Sequence, residues 1–402
     1  MRISTNTVYA LGVAAIQRQQ ASLLETQQQI ASGRRILTPA DDPVAAARVV
    51  DVSQAAAANA QYAVNRASAK SALSLEESVL HSLTELIHDV RTAAVSAGNP
   101  VLSSSDRASL ATELRGRLEQ LTALANSTDG SGQYLFSGYQ GSVKPFTPGA
   151  GGAQYAGDQG QRLIQIGAAR QIEVSDSGAA VFERIRNGNG VFVTAAAAAN
   201  AGSGVIGPGS VVNAAVLSGH SYQINFSVSG GVTTYAVVDA TTSITLSTGN
   251  AYASGDAIAF DGIELDIQGS PADGDRFTVT PSGNQSLFKT LHDLIGVLAA
   301  PVDATAGNAR LANGLNAALV NLDRALDNVL RVRAAAGARL QEVDALQTLG
   351  EDLALQYQQT LSQLQDVDYA QAVSDLARQQ AYLEAAQRSF LKVSTLSLFE
   401  YL

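Results

Sequence analysis

Two segments far apart in the chain carry the same stripe. A heptad register sets Tyr9, Val13, Ile16, Gln20, Leu23, Gln27 and Ile30 on one side of a helix. Tyr369, Val373, Leu376, Gln380, Leu383, Gln387 and Phe390 repeat that spacing nearly residue for residue. Matched apolar stripes of this period predict two helices lying side by side and closing a long antiparallel bundle. Each stripe alternates apolar residues with Gln, so a lone pair has a half-filled seam and is marginal in isolation. Two readings follow: neighbouring copies supply the missing contacts, or the pair is an ordinary two-stranded coiled coil closing a monomer. Under the first, Tyr9, Val13, Ile16, Leu23, Ile30, Tyr369, Val373, Leu376, Leu383 and Phe390 form an assembly stripe, and aspartate at Leu23 or Leu383 should block assembly while sparing the monomer.

Both arms are interrupted just inside these helices. In "SGRRILTPADDPVAAARVV", from Ser32 to Val50, Gly33 can end the first helix in a left-handed conformation. Pro39 keeps the link extended, and Asp41 and Asp42 read as a cap, Asp42 preceding Pro43 at the first helical position, where a missing N–H costs nothing. The other arm breaks at "LQDVDYAQA", Leu364 to Ala372, with Asp366 and Asp368 in the break. An ordinary loop explains either interruption; their match predicts a joint between a terminal helix pair and a helical body.

The intervening sequence is helical over about Thr5–Ser32, Val44–Gly98 and Ser105–Ser127, and again after Gln285. Leu73, Leu80 and Ile87 step by sevens, as do Leu315, Leu322 and Val329; Leu110, Leu114, Leu118, Leu121 and Leu124 step by threes and fours. Gly98, Asn99 and Pro100 stop the second helix, and Ser104, Ser105 and Asp106 offer caps for the third. Between Gly132 and Arg186, strand-like pieces such as "QYLFSG" and "RLIQI" alternate with glycines.

From Asn187 to Gly283 the character changes: this segment holds 15 of the 35 glycines, and no Asp, Glu, Lys or Arg occurs from Asn187 to Val238. A Gly230-Gly231 turn sets Phe226 opposite Tyr235 and Ile224 opposite Val237; an Asp261-Gly262 turn sets Phe260 opposite Ile263. The expected fold is mainly α with an inserted all-β domain. Its parts are a terminal helical coiled-coil region (residues 1–40 and 366–402), a helical body with short β hairpins (41–186 and 284–365) and an inserted β domain (187–283).

A formal charge of 26 − 36 = −10 argues against nucleic acid or an anionic membrane as partner. No cysteine is present, which removes disulfides, thiolate metal sites and cysteine nucleophiles. No apolar run approaches the ~18 residues of a membrane span. Val8 to Ile16 imitates a short signal-peptide core, but helical periodicity runs on through Gln17 to Gln20, so no cleaved signal is expected.

Motifs for catalysis are weak. "GSGVIG", Gly202 to Gly207, fits G-x-G-x-x-G but follows an alanine run and opens no helix. His81 and His88 lie two turns apart, about 10 Å, too far to share a metal unaided. Asp41 and Asp42, adjacent and followed by Pro, read as a cap rather than a carboxylate site. Neither enzyme activity, metal nor cofactor is expected; an adhesin or glycan-binding role is open only for the uncharged β segment.

"RISTNT" at Arg2, "SGRRILTPADDPVAAA" at Ser32, "GQYLFSG" at Gly132, "DVDYAQAVSDL" at Asp366 and the closing "SLFEYL" resemble the hook-filament junction (hook-associated protein 3) family of bacterial flagella. Flagellins share the "SG-RI…DD" pattern, but Pro43, "YLFSG" and "LFEYL" favour the junction family; flagellin or a flagellin-like filament subunit is the alternative. The resemblance covers both arms, not the β segment. It implies an extracellular axial subunit, handled by an export chaperone and exported unfolded through the flagellar type III apparatus. Such a subunit forms a ring of identical copies between hook-associated protein 1 and flagellin, with terminal helices lining the tube and the β domain facing outward.

Overall fold

The computed structural model describes residues 5–302 and 304–395. Six helices carry the frame: α1 (Thr5–Ser32), α2 (Pro43–Ala97), α3 (Ser104–Ala125), α4 (Leu287–Ala299), α5 (Ala304–Gln365) and α6 (Tyr369–Thr395). The chain divides into two compact units, one of residues 1–65 with 345–402 and the other of residues 66–344. The "RISTNT" and "SLFEYL" motifs lie wholly or partly outside the described residues.

The helix limits follow the punctuation of the sequence. α1 stops at Gly33, whose φ of 70° is open to glycine, and α2 starts at Pro43. α3 begins one residue earlier than the expected caps. Ser103 is its N-cap and forms a reciprocal capping box with Asp106, because a serine three residues before an acidic side chain satisfies two amide donors at once.

In the 66–344 unit the heptads converge. Leu80 and Ile87 of α2, Leu114 and Leu121 of α3, and Leu315, Leu322 and Val329 of α5 are buried in one core with Leu291 and Leu294 of α4. Phe136, Phe146, Phe182 and Phe288 fill its aromatic end, with the Phe146 and Phe288 rings 4.8 Å apart. Each such side chain contributes about 1.5–3 kcal/mol on burial.

Short hairpins border this core: β1 (Phe146–Gly149) with β2 (Gly152–Tyr155), and β3 (Leu163–Gly167) with β4 (Arg170–Glu173). "RLIQI" thus forms a strand, whereas "QYLFSG" folds as consecutive turns. Gly138 there has φ 73° and sits where a Cβ would lie 2.0 Å from the Asp158 carboxylate. That carboxylate accepts the amides of Tyr139 and Gly160 and keeps the segment from extending.

After β5 (Ile185–Arg186) come β6 (Phe192–Ala196), β7 (Val205–Ile206), β8 (Ser210–Val211), β9 (Tyr222–Ser229), β10 (Val232–Asp239), β11 (Ile244–Ala251), β12 (Ala257–Phe260), β13 (Ile263–Gln268) and β14 (Arg276–Pro281). A five-stranded sheet of order β11-β10-β9-β14-β6 faces the smaller group β12-β13-β7, and β8 also pairs with β13. Both hairpin registers hold: Phe226 opposes Tyr235, Ile224 opposes Val237, and Phe260 opposes Ile263. Ile224, Phe226, Leu265, Ile267 and Phe277 form a second core that shares no residue with the first. β15 (Asn284–Gln285) returns the chain beside β5.

Candidate functional site

Helices α1 and α6 run antiparallel in the 1–65 and 345–402 unit. At one end the rings of Tyr9 and Phe390 meet edge to face, 5.1 Å between centroids. Gly12 makes this possible, since a Cβ there would stand 2.7 Å from the Phe390 ring. Midway, Gln379 donates to the Ser22 hydroxyl at 3.1 Å and Gln19 donates to the Gln379 carbonyl at 3.4 Å. At the far end Gly33 lies against the Tyr369 hydroxyl.

Only part of the expected stripe enters this seam. Ile16, Leu23 and Ile30 are half-buried, as are Leu376, Leu383 and Phe390. Between them the seam uses Gly12, Gln19 and buried Thr26 on α1, and buried Ala372, half-buried Gln379 and Ala386 on α6. Val13, Gln20 and Gln27, and likewise Val373, Gln380 and Gln387, stand one residue further round and are exposed. Val13 is 41% and Val373 54% accessible, and Tyr9 and Tyr369 are partly exposed too. Leu23 and Leu383 stand on the half-buried side. The physical reason is size, since Gly12 and Ala372 admit the opposite helix more closely than Val13 or Val373 would.

The joint gathers both interruptions. Arg34 and Asp366 form an antiparallel bridge; the Arg35 amide donates to the Gln365 carbonyl at 2.6 Å and the Val367 amide to the Gly33 carbonyl at 3.0 Å. Arg35 also donates to the Leu364 carbonyl at 3.0 Å and pairs with Asp42 at 3.4 Å.

Asp42 accepts the Ala45 amide at 3.0 Å, the N-cap bond ahead of Pro43. Asp41 does separate work, accepting the amides of Leu37 (2.9 Å) and Thr38 (2.7 Å) and the Thr38 hydroxyl (2.9 Å). It thereby closes the turn through exposed Pro39. The Thr38 amide chiefly holds the Asp41 carboxyl below the usual carboxylate range, and the Ala45 amide does the same for Asp42. Across the break, Asp368 caps α6 by accepting the Ala370 and Gln371 amides, and Asp366 accepts the Ser362 hydroxyl at 2.5 Å.

The full-length sequence is 31% identical over 401 residues to flagellar hook-associated protein 3 of Salmonella typhimurium, covering 100% of this chain and 99% of that protein. The chain belongs to the flagellar hook-associated protein 3 family. The Escherichia coli member is likewise 31% identical over 401 residues. A crystal structure of hook-associated protein 3 from Legionella pneumophila superposes with a TM-score of 0.74 at 31% identity, covering 78% of this chain and 98% of that one. FlgL of Xanthomonas campestris gives 0.72 at 31% identity, covering 77% and 99%. The model of the bacterial flagellin N-terminal helical region matches residues 3–141.

In this member of the hook-associated protein 3 family, the chemistry-like motifs have structural employment. Within "GSGVIG", the Gly202 amide donates to the Asp275 carboxylate, which also takes the Ala201 and Ala272 amides. His81 is exposed and pairs with Glu85 on the next turn at 3.4 Å. Among the described residues, no group of three or more His, Asp or Glu could hold a metal ion, and no helix is long and apolar enough to cross a membrane. Gly12, Gln19 and Gln379 are the site residues that the sequence reading missed. The signal available was a small residue one turn from Tyr9 on the side facing Phe390.

Proposed function

We propose that this chain is the structural subunit joining hook-associated protein 1 to the flagellin filament, assembled as a ring of identical copies through its terminal helix pair. The observation that carries this reading is the pair of stripe positions that the seam within the chain leaves unused, where Val13 and Val373 remain 41% and 54% accessible. Apolar side chains left in water beside a seam already filled suit packing against further helices of the same kind.

The joint at Gly33–Pro43 and Asp366–Asp368 is read as setting the relation of the terminal pair to the rest of each subunit. Export as an unfolded chain, with a chaperone and the type III apparatus, completes the reading. Similarity to hook-associated protein 3 over the whole length favours it over a filament subunit, for which the match covers residues 3–141. Deletion of the gene followed by microscopy and an assay of spent medium tests it. Intact hooks with flagellin lost to the medium are expected; normal filaments would overturn it.

A further inference from the structure

A carboxyl group with no part in the terminal pair lies inside the 66–344 unit. Glu76 of α2 is 1% exposed. Its Oε1 accepts the Asp176 amide at 2.9 Å, so it grips the segment that follows β4. Arg339 of α5 holds the same segment from the other side, donating to Asp176 at 2.9 Å and to Glu173 at 2.6 Å. Arg66 of α2 reaches the Ile166 carbonyl in β3 at 3.1 Å, and Arg170 pairs with Glu342 of α5. The β3–β4 hairpin and the turn after it are thus clamped to two long helices through charged groups.

The charges acting on Glu76 are the Asp176 carboxylate, which opposes its ionisation, and Arg339 and Arg162, which favour it. Both arginines have other acidic neighbours: Arg339 bonds Asp176 and Glu173, and Arg162 lies 4.0 Å from Asp129. An ionised Glu76 therefore adds a second buried negative charge beside Asp176 and competes for the same guanidinium. A protonated Glu76 keeps its bond to the Asp176 amide and removes that conflict.

We propose that Glu76 is a proton-operated latch: protonated, it holds the β3–β4 hairpin and residues 174–177 against α2 and α5; ionised, it loosens them. Burial, foremost, and Asp176 push its carboxyl up to about 7 from 4.5. A raised carboxyl gives stability that is fully present below the unfolded value of 4.5 and is lost as pH climbs through about 7. From about pH 5 to about pH 8 this amounts to a roughly 70-fold fall in the folding equilibrium constant by proton linkage. For a subunit exported as an unfolded chain, which rests on the function proposed above, the latch makes the folded body weaker on the more alkaline side of the envelope.

The test compares the whole purified chain with Glu76→Gln, whose amide oxygen still accepts the Asp176 amide. Urea unfolding across this pH range should give curves whose difference grows with pH, and hydrogen-exchange protection over residues 163–177 should fall with pH only in the parent. Parallel pH dependence in the two chains would overturn the latch. Should Glu76→Gln fail to fold, the infrared band of a protonated carboxyl in the parent decides. Its loss near pH 7 supports the latch, and its absence above about pH 5.5 refutes it. These readouts need no flagellum, so they stand or fall separately from the junction assay.

Discussion

Gly33 is the residue on which the joint turns. Its φ of 70° ends α1 in a conformation that costs a residue with a Cβ about 1–2 kcal/mol, and its carbonyl accepts the Val367 amide. Gly33→Ala should lower the stability of the terminal pair by roughly 1 kcal/mol, read by thermal melting followed through helical circular dichroism. An unchanged melt would mean that the link adapts without a left-handed residue. The neighbouring carboxylates set a pH limit. Asp41 and Asp42 are both held below their ordinary value of 3.8 by amides, so their stabilisation is present above that value and is lost as pH falls through their lowered values. Hydrogen-exchange protection at Leu37, Thr38 and Ala45, relative to intrinsic exchange at each pH, should therefore fall below about pH 4 in the parent. In an Asp41→Asn, Asp42→Asn double variant the pH dependence should be flattened, and a variant as acid-sensitive as the parent would remove these groups from the account.

The stripes divide the terminal helices into two working faces. Val13→Asp with Val373→Asp alters residues 41% and 54% accessible, so monomer melting should shift by no more than about 0.5 kcal/mol while attachment of filaments is lost. Leu383→Asp, by contrast, should lower terminal-pair stability by about 2 kcal/mol or more, because the carboxylate enters the seam with α1. Equal effects of the two changes on the monomer would show that the faces are not distinct. The limits of α1 and α2 were legible because Gly33, Asp42 and Pro43 determine them locally, and the β hairpin registers because Gly230-Gly231 and Asp261-Gly262 leave little choice of turn. The phase of the seam was not, since spacings of 9-13-16 and 9-12-16 both satisfy a heptad, and the choice depends on Phe390, nearly the whole chain away. "QYLFSG" misled for a similar reason: the Asp158 carboxylate that folds it into turns lies outside the motif. Glu76 looks like any helical glutamate until Asp176 is placed against it.

In the 66–344 unit the two cores share no residue, and this predicts how the chain tolerates excision. At the base of the β insert, the Asn187 amide donates to the Gly283 carbonyl at 3.1 Å, and the Gly283 amide donates to the Asn187 side chain at 2.8 Å. Removing residues 187–283 leaves Arg186 and Asn284, which already pair across β5 and β15, so a short glycine linker can close them without strain. Polar ties also run from α5. Asn313 takes the Ile206 amide and donates to the Gly204 carbonyl, Asn321 takes the Gly188 amide, and Arg324 donates to Gly188 and Asn189. Exposed to water, these side chains exchange protein partners for solvent at small cost. We therefore propose that the insert is a separately folding domain: the closed variant should keep cooperative melting and the helical circular dichroism of its remaining residues, and residues 187–283 made alone should show β structure with their own transition. Loss of cooperativity in the closed variant would mean that the helical core depends on the insert.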